Sequence, residues 1–299
     1  MDPRRRAILA LATIAAAPRM HNANAVEPTL RAIPASGERL PVIGLGTWQT
    51  FDVRGDAAAR ESLREVLRLF AKGVVDSSPM YGSSENVAGD LIGELKLRER
   101  LFVATKVWTQ GRDEGIRQME DSFKRLRVQR MDLLQVHNLV DVAVHSKTLR
   151  EMKAEGKVRY IGITHYTSSA YGAVERELNA SPWDFLQINY SLGERDAEKR
   201  ILPLAREKKV AVIINRPFAE GALFSHVKGK PLPPWAKEYD INSWAQYFLK
   251  WIVSHPAVTC TIPGTGRPDH MRDNLVAGHG TVPDEKGRRR LAEYFDGLG

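Results

Sequence analysis

After residue 26 the chain alternates short apolar runs, rich in β-branched residues, with longer stretches in which hydrophobic residues recur at helical spacing. Several runs are hydrophobic throughout, which is typical of parallel strands buried on both faces. Eight runs are predicted as strands: Leu40–Gly44, Val74–Ser77, Leu101–Val107, Met131–His137, Val158–Ile163, Phe185–Asn189, Val210–Asn215 and Val258–Ile262. The helices predicted between them include Ala57–Lys72, Ser84–Leu95, Gly115–Arg127, Ser146–Glu155, Ser168–Leu178, Asp196–Lys209 and Ile241–Ser254. Strand–helix units at intervals of about 25–33 residues predict an α/β fold of the (β/α)8 TIM-barrel class.

Two segments lie outside this repeat. Leu30–Pro41 is predicted to form a β-hairpin that turns at Ser36 and Gly37, before the first barrel strand, where it could plug the bottom of the barrel. Phe218–Tyr239 is a long loop, rich in proline and glycine, after the seventh strand. Loops that follow barrel strands lie on the active face, so this one could act as a lid.

An open Rossmann sheet is the alternative arrangement of alternating strands and helices. It predicts the glycine pattern G-x-G-x-x-G directly after the first strand, at the start of a helix. The first predicted strand here continues into GLGTWQ (residues 44–49), where the third glycine is missing and no helix follows at once. The sequence therefore favours the closed barrel.

The composition agrees with one globular domain. A chain of 299 residues is normal for a single α/β barrel, and 43% hydrophobic residues allow a sizeable core. The formal charge is +8, but outside the N-terminus the basic residues alternate with acids along predicted helices, as on solvated faces. No interleaving of basic and aromatic residues points to a nucleic-acid partner. The single cysteine, Cys260, lies in an apolar run and is expected to be buried.

The first 25 residues resemble an export signal. A basic head at Arg4–Arg6 precedes an 11-residue apolar stretch, Ala7–Ala17, and a polar segment that ends in the A-x-A pattern of Ala23–Ala25. Adjacent arginines before an alanine-rich stretch indicate a twin-arginine signal peptide, so residues 26–299 would form the mature, periplasmic domain after handling by the twin-arginine translocation machinery. The alternative is a tail on a cytoplasmic protein. No other segment is apolar over 18 residues, and no membrane span is predicted.

Four polar side chains are predicted at the ends of successive strands, where barrel enzymes carry their chemistry. Asp76 ends the second strand and Tyr81 follows it, Lys106 lies near the end of the third, and His137 ends the fourth. A phenol is a weak acid at neutral pH, but a neighbouring ammonium lowers its pKa and a carboxylate holds that ammonium in place. An imidazole can orient a carbonyl oxygen. Together the four suit protonation of the oxyanion that forms when hydride reaches a carbonyl.

Other chemistries fit less well. No serine or cysteine nucleophile is paired with a base, and one histidine with one aspartate supplies too few ligands for a metal. A metal-dependent barrel hydrolase would need histidines and aspartates clustered at strand ends. The remaining histidines are scattered instead: His145, His165, His226, His255, His270 and His279. We therefore expect no metal site.

Six segments in the right order resemble the aldo-keto reductases. They are GVVDSSPMYGSSE (73–85), ATKVW (104–108), DLLQVH (132–137), YIGITH (160–165), QINY (187–190) and IPGT (262–265). The resemblance extends over roughly residues 38–275, nearly the whole predicted mature chain. It implies a (β/α)8 barrel that binds NADP(H) without a Rossmann domain and reduces aldehydes or ketones to alcohols.

The resemblance also implies roles for the strand-end residues. Tyr81 would be the general acid in reduction, Lys106 paired with Asp76 would tune it, and His137 would orient the carbonyl. The cofactor would be held by Gly46, Thr47, Trp48, Asp76, Thr164, His165, Gln187, Asn215, Arg216, Thr265, Arg267, His270 and Asn274. Within this set Gln187 matches the glutamine that holds the nicotinamide carboxamide.

The chain departs from the family pattern at several cofactor positions. His165 replaces the usual asparagine, and Asn215 stands where an aromatic residue often stacks on the nicotinamide. Gly264 and His270 take the places in which many members have lysine and arginine beside the 2′-phosphate. NADP(H) is the favoured cofactor, and NAD(H) stays an alternative.

The substrate pocket is predicted from two tryptophans and the histidine. Trp48, Trp108 and His137 would line it, and two indoles suit an apolar or aromatic carbonyl, although both could instead belong to the core. We expect a monomer that acts on a small carbonyl compound. A barrel that binds nucleotide without catalysis is the alternative function, which the complete set of four polar residues disfavours.

Overall fold

The computed structural model describes residues 27–70 and 72–299, so the predicted signal peptide of residues 1–25 lies outside the described part. Two antiparallel strands come first, β1 (Leu30–Ala32) and β2 (Arg39–Pro41). Eight parallel strands follow: β3 (Leu45–Gly46), β4 (Gly73–Asp76), β5 (Leu101–Val107), β6 (Met131–His137), β7 (Val158–Thr164), β8 (Phe185–Asn189), β9 (Ala211–Asn215) and β10 (Val258–Thr261). The α-helices are α1 (Ala57–Leu69), α2 (Ser84–Glu94), α3 (Arg112–Leu126), α4 (Val142–Ala154), α5 (Tyr171–Ala180), α6 (Ile201–Glu207), α7 (Ala222–His226), α8 (Trp244–Val253), α9 (Pro268–Val276) and α10 (Glu285–Asp296).

The eight parallel strands pair strictly in chain order, from β3 to β10. A Rossmann sheet would reverse its strand order at a switch point, whereas a sequential order with helices between strands is that of the barrel. The barrel closes between β3 and β10 through isolated bridges, Ile43 to Thr261 and Gly46 to Gly264. The predicted (β/α)8 fold is confirmed.

The first barrel strand lies later than the sequence suggests. We expected it at Leu40–Gly44, but Leu40 and Pro41 pair with β1 in the hairpin, and β3 covers Leu45–Gly46. The apolar run from Leu40 to Leu45 serves both sheets in turn, so its hydrophobicity alone could not show where one sheet ends and the other begins.

The inside of the barrel is apolar at the bottom and polar at the top. Alternate residues of each strand point inwards, and the lower ones form one cluster, in which the rings of Phe102, Tyr160 and Phe185 lie 5.5 to 5.8 Å apart. The same alternation brings polar residues inwards at the carboxyl ends of the strands, as with Lys106 two residues after Ala104. We call this polar end the mouth of the barrel.

The predicted hairpin covers the bottom. Its turn contains Gly37 in the left-handed region, and Ile33 and Leu40 pack into the interior apolar cluster. Arg31 fixes the hairpin to the barrel, because its guanidinium donates to the carbonyl oxygens of Val253, His255 and Val258 at 2.5 to 2.6 Å. The bottom of the barrel is thus plugged, and the mouth is the end open to ligands.

The long connection after β9 is structured. It contains α7 and two short 3-10 turns, and its aromatic side chains pack against helices α8 and α10. Phe224 contacts Phe248 with ring centres 5.5 Å apart, and Trp235 contacts Tyr294 at 5.9 Å. Phe218–Tyr239, the segment that could act as a lid, is therefore packed against the outer helices of the barrel by these contacts.

Most predicted helices differ from the structure by a few residues at one end or both, and two start furthest from the predicted position. The helix expected at Asp196–Lys209 consists of a 3-10 turn and then α6, which starts at Ile201 because Pro203 is tolerated only in a first turn. Helix α4 begins at Val142 rather than Ser146. Of the helices in the described ranges, none has the length and apolar character needed to cross a bilayer.

Barrel closure gives a prediction at Gly44. A Cβ atom there would lie 2.9 Å from both the carbonyl oxygen of Val74 and Cγ2 of Ile262. We expect Gly44→Ala to lower the free energy of unfolding by about 1–3 kcal/mol, because backbone on one side cannot yield. Gly55→Ala is the control, since nothing lies within 4 Å of its Cβ position. Equal stability of the two variants in urea denaturation would show that the closure widens without cost.

Candidate active site

A buried ion pair lies inside the mouth. Lys106 of β5 and Asp76 of the adjacent β4 are both shielded almost fully from solvent. The Nζ atom of Lys106 donates to Oδ2 of Asp76 at 2.6 Å and to the carbonyl oxygen of Ser77 at 2.7 Å. Gln135 of β6 donates from Nε2 to the second carboxylate oxygen at 3.3 Å. The charges are thus paired and hydrogen-bonded, as charges away from water must be.

The ammonium of Lys106 keeps its charge in this position. Burial alone would lower the pKa of Lys106, because it disfavours the charged form. The negative charge of Asp76, with a smaller contribution from Tyr81, acts in the opposite direction and outweighs burial, so the pKa of Lys106 is raised. A positive charge is therefore fixed beside the phenol.

Tyr81 lies in the loop between β4 and α2, with its ring centre 5.1 Å from Nζ of Lys106. The loop is held by Asp52, whose Oδ1 accepts from the backbone nitrogen of Ser83 at 2.8 Å and from its hydroxyl at 2.7 Å. Gly82 has a φ of +58°, and a Cβ there would collide with the Asp52 carboxylate. Glycine at this position therefore lets the chain turn tightly directly after the phenol.

A second buried carboxylate anchors the helix that follows this loop. Glu85, in the first turn of α2, accepts from Thr105 Oγ1 at 2.6 Å and from Ser122 Oγ at 3.1 Å. Arg125 approaches the same carboxylate at 3.4 Å. Burial raises the pKa of Glu85, and these three partners oppose the rise. Helix α2 is in this way fixed to β5, which carries Lys106, and to α3.

The pKa of Tyr81 is raised above its ordinary value. Burial is the largest cause, the ammonium of Lys106 acts against it, and the carboxylate of Asp76 adds to the rise. We expected Lys106 to lower this pKa, and its effect has that sign, but desolvation of the phenolate outweighs it. The hydroxyl of Tyr81 therefore carries its proton at neutral pH, as a proton donor must.

His137, at the end of β6, is neutral at working pH. It is 9% exposed, and burial, followed by the charge of Lys106, lowers its pKa to about 3. Its ring contacts that of Tyr81 edge-on, with centres 6.0 Å apart, and lies 6.5 Å from that of Trp108. A neutral imidazole can donate one hydrogen bond without carrying a charge.

The four residues predicted from strand ends thus lie together. Three further groups contact them, and the sequence prediction did not include these. The carbonyl of Ser77 bonds Lys106, the amide of Gln135 bonds Asp76, and the hydroxyl of Ser78 lies 3.2 Å from Nδ1 of His137. A signal for Gln135 was present, since it precedes His137 by two residues and must share its inward face. Ser77 contributes its backbone carbonyl, which every residue type carries, so its identity as serine gave no sign of this role.

The side-chain amide of Gln187, on β8, is buried near the mouth. Thr164 of β7 donates to Oε1 of Gln187 at 3.0 Å, which turns the amide nitrogen to the other side. This Nε2 atom is buried and has no hydrogen-bond partner within the described residues. Unpartnered buried donors are rare because they are costly. The residues therefore fit a group with a carbonyl oxygen, such as the carboxamide of a nicotinamide.

At the end of β9, residues that differ from the family pattern bond to the loop that follows β7. Asn215 donates from Nδ2 to the carbonyl oxygen of His165 at 3.1 Å, and its Oδ1 is buried without a partner in the described ranges. The guanidinium of Arg216 donates to the carbonyl oxygen of Tyr166 at 2.9 Å and pairs with Glu220 at 3.3 Å. Arg216 is therefore bound to loop groups of the protein itself.

His165 is also used by its own loop. Its Nδ1 accepts from the backbone nitrogens of Tyr166 at 3.0 Å and Thr167 at 3.3 Å, and its ring stacks on that of Tyr166. Burial lowers the pKa of His165. Because Nδ1 of the neutral ring accepts hydrogen bonds, its hydrogen lies on Nε2. His165 therefore offers an N–H donor, as would the side-chain amide of the asparagine that is usual in the family at this position.

The predicted phosphate end surrounds the start of α9. Thr265 Oγ1 accepts from the backbone nitrogen of Arg267 at 3.0 Å, which shapes the turn into the helix. The guanidinium of Arg267 makes two bonds to Asp269, at 3.1 and 2.5 Å. His270 is exposed and Asn274 is buried on the same helix. Arg267 is therefore partly neutralised before any phosphate arrives.

Large apolar side chains are exposed at the mouth. Trp48, Met80, Trp108 and Tyr166 follow four different barrel strands and are all more than a third exposed. Trp48 and Trp108 were expected either in a pocket or in the core, and this exposure excludes the core. Among the described residues, no group of three or more histidine, cysteine, aspartate or glutamate side chains could hold a metal ion.

The buried ion pair gives a stability prediction. We expect Lys106→Met to lower the free energy of unfolding by about 3–5 kcal/mol, because it leaves the Asp76 carboxylate buried without a counter-charge. Lys124→Met is the matched control, since Lys124 pairs with Asp121 at the surface and its loss should cost less than about 0.5 kcal/mol.

The double variant Asp76→Asn with Lys106→Met should recover part of this loss, because it leaves neither charge unpaired. Urea denaturation of the four proteins measures these differences. A double variant less stable than Lys106→Met alone would show that packing, and not the unpaired carboxylate, causes the loss.

Comparison with known proteins agrees with the resemblance seen in the sequence. The profile of the Aldo/keto reductase family matches residues 42–289. The methylglyoxal reductase YeaE of Escherichia coli (strain K12) is 27% identical over 258 residues, which cover 82% of this chain and 88% of that protein.

Solved structures are similar as well. An aldo/keto reductase from Klebsiella pneumoniae in complex with NADP and acetate has a TM-score of 0.71 at 25% identity, over 87% of this chain and 93% of that one. A structure of an aldo-keto reductase from the same organism with NADPH has a TM-score of 0.73 at 25% identity, over 87% and 92%. With a family match over most of its length and the same barrel, the chain belongs to the aldo/keto reductase family.

Proposed function

We propose that this protein uses NADPH to reduce an aldehyde or ketone to an alcohol, with Tyr81 as the proton donor. The observation that carries the proposal is the buried pair of Lys106 and Asp76, which places a fixed positive charge beside a protonated phenol. A charge held there stabilises the phenolate that remains after proton transfer, and it does so without solvent reorganisation.

The unpartnered amide of Gln187 supports a nicotinamide cofactor. Its donor would hold the carboxamide, while Thr164 fixes the amide orientation. When bound, a reduced nicotinamide supplies the hydride. NADP(H) is favoured because relatives at 25% identity were crystallised with NADP or NADPH. NAD(H) stays the alternative, since Arg267 is paired with Asp269 and His270 stands where many members have arginine.

The remaining steps fall to the side chains of the mouth. The substrate carbonyl oxygen would lie between the Tyr81 hydroxyl and the His137 ring. The ring centres of these two residues are 6.0 Å apart. Neutral His137 donates a hydrogen bond that orients the oxygen and does not compete for the proton. Tyr81 then delivers its proton to that oxygen, and Lys106 balances the charge left on the phenolate.

The exposed aromatic side chains favour an apolar or aromatic carbonyl. Trp48 and Trp108 offer flat, half-exposed surfaces on which an aromatic aldehyde can lie. A small dicarbonyl such as methylglyoxal is the alternative, which the relative from Escherichia coli suggests by its name.

We test the proposal with the purified full chain, following loss of NADPH or NADH absorbance with benzaldehyde and methylglyoxal. Tyr81→Phe should lower kcat by about 10²–10⁴-fold, the usual contribution of a positioned general acid. Tyr294→Phe is the matched control, because its hydroxyl bonds Pro231 on the outer wall and its loss should leave kcat unchanged.

The outcomes separate the alternatives. Full turnover in Tyr81→Phe would show that another group protonates the oxygen. Binding of NADPH without turnover of either carbonyl by the wild type would favour a nucleotide-binding barrel without catalysis, and the altered contacts of Asn215 and Arg216 would then be the first places to look.

The state of His137 gives a pH prediction. With a pKa of about 3, instead of the ordinary 6.5, His137 stays neutral on both sides of neutrality, so kcat/KM for reduction should show no inflection near pH 6.5. The rate should fall only at alkaline pH, where Tyr81 loses the proton that it must donate. An acid inflection near pH 6.5 that survives in His270→Gln would contradict a buried, neutral His137.

A further inference from the structure

The hydroxyl of Ser78 contacts one of the two ring nitrogens of His137. Ser78 Oγ lies 3.2 Å from Nδ1 of His137, and both side chains are buried. The same Oγ accepts a hydrogen bond from the backbone nitrogen of Met80 at 3.3 Å. Nε2 of His137 has no hydrogen-bond partner in ranges 27–70 and 72–299, so it is the nitrogen left for a ligand.

The hydrogen bonds around Ser78 are complete in only one arrangement. The serine hydroxyl has a single hydrogen, and among the described residues Nδ1 of His137 is its one acceptor. If Nδ1 carried the hydrogen, it would donate to Oγ, and the buried serine hydrogen would then have no acceptor. An unmet buried donor is disfavoured strongly enough to shift an equilibrium by about tenfold.

We propose that Ser78 is a positioning residue that holds neutral His137 in the tautomer with its hydrogen on Nε2. Ser78 donates to Nδ1, Nδ1 accepts, and Nε2–H points its donor at the substrate oxygen. The role of His137 rests on the proposed function, whereas the tautomer itself is a property of the protein that can be measured without substrate.

The choice of tautomer decides what His137 can do. With hydrogen on Nε2 it donates to a carbonyl oxygen and polarises it for hydride attack. With hydrogen on Nδ1 the open nitrogen would present a lone pair, which repels that oxygen. A histidine held in the wrong tautomer loses its catalytic effect even when its position is unchanged.

Nitrogen-15 NMR of histidine-labelled full-length protein, with NADP⁺ bound, measures the tautomer directly. The signals of His137 among the eight histidines are identified by their loss in His137→Gln. We expect the wild type to show a protonated Nε2 and a bare Nδ1. In Ser78→Ala we expect the tautomer ratio to shift by about tenfold towards a mixture of both forms. We expect kcat for carbonyl reduction to fall by about twofold, in proportion to the remaining Nε2–H fraction, with NADPH affinity unchanged.

Ser77→Ala is the matched control for the tautomer. Ser77 is also buried in this loop, but its hydroxyl bonds Thr47 at 2.8 Å and not His137, so the His137 signals should stay as in the wild type. Ser78→Thr, which keeps the hydroxyl, should restore the wild-type signals and most of the lost kcat. These results would show that the hydroxyl acts on the ring and not merely on loop stability.

The results that would contradict the role of Ser78 can be told apart from those that would contradict the proposed carbonyl reduction. If Ser78→Ala keeps a single Nε2–H tautomer, Ser78 does not set it, even if the enzyme reduces carbonyls. If the wild type has its hydrogen on Nδ1, the proposal is wrong as well. If the tautomer shifts in Ser78→Ala but no variant, including the wild type, reduces a carbonyl, the role of Ser78 stands and the reductase function fails.

Discussion

The need to neutralise a lysine inside a protein barrel organises this site. A buried ammonium is stable only with a counter-charge and with acceptors for its hydrogens, and Lys106 obtains these from Asp76 and the carbonyl of Ser77. Both come from β4 and the turn that follows it. The same turn leads to Tyr81, so the geometry that satisfies the lysine also sets the distance between its charge and the phenol. Stability and chemistry depend on the same few bonds.

The alternation of strands explains why so much of the site was visible in the sequence. Lys106 within a run of apolar residues was informative, because a charge in a buried strand requires a partner on a neighbouring one. Asp76 and His137 were visible as the polar last residues of apolar strands. Residues with ordinary roles gave no such signal: Ser78 looks like any loop serine, and only three-dimensional proximity shows its contact with His137.

Element ends were harder to predict than elements. Hydrophobicity marked the run from Leu40 to Leu45 as strand, but hydrogen-bond partners decide which sheet a strand joins, and they are distant in sequence. Helix α6 starts at Ile201 because Pro203 must lie in a first turn, although the hydrophobic periodicity of Asp196–Lys209 showed no break there. The sequence showed that no aromatic residue stands at the end of β9. It could not show that Arg216 bonds Tyr166 and Glu220, because those contacts depend on the loop conformation. The sequence pattern shows which residue types are present, and the structure shows which of them already have hydrogen-bond or ion-pair partners within the protein.

The hairpin at the bottom of the barrel has a consequence for how the chain can be extended. Thr29 bonds the backbone of Gly278, and Arg31 bonds the carbonyl at the end of α8 and two carbonyls after it. The described polypeptide therefore enters the fold at the end opposite the mouth. The described chain therefore begins behind the plug, with the depth of the barrel between residue 27 and Tyr81. A fluorescent label or surface tether joined directly to residue 27 of a shortened chain would start on the side away from the mouth, which would leave ligand access unobstructed.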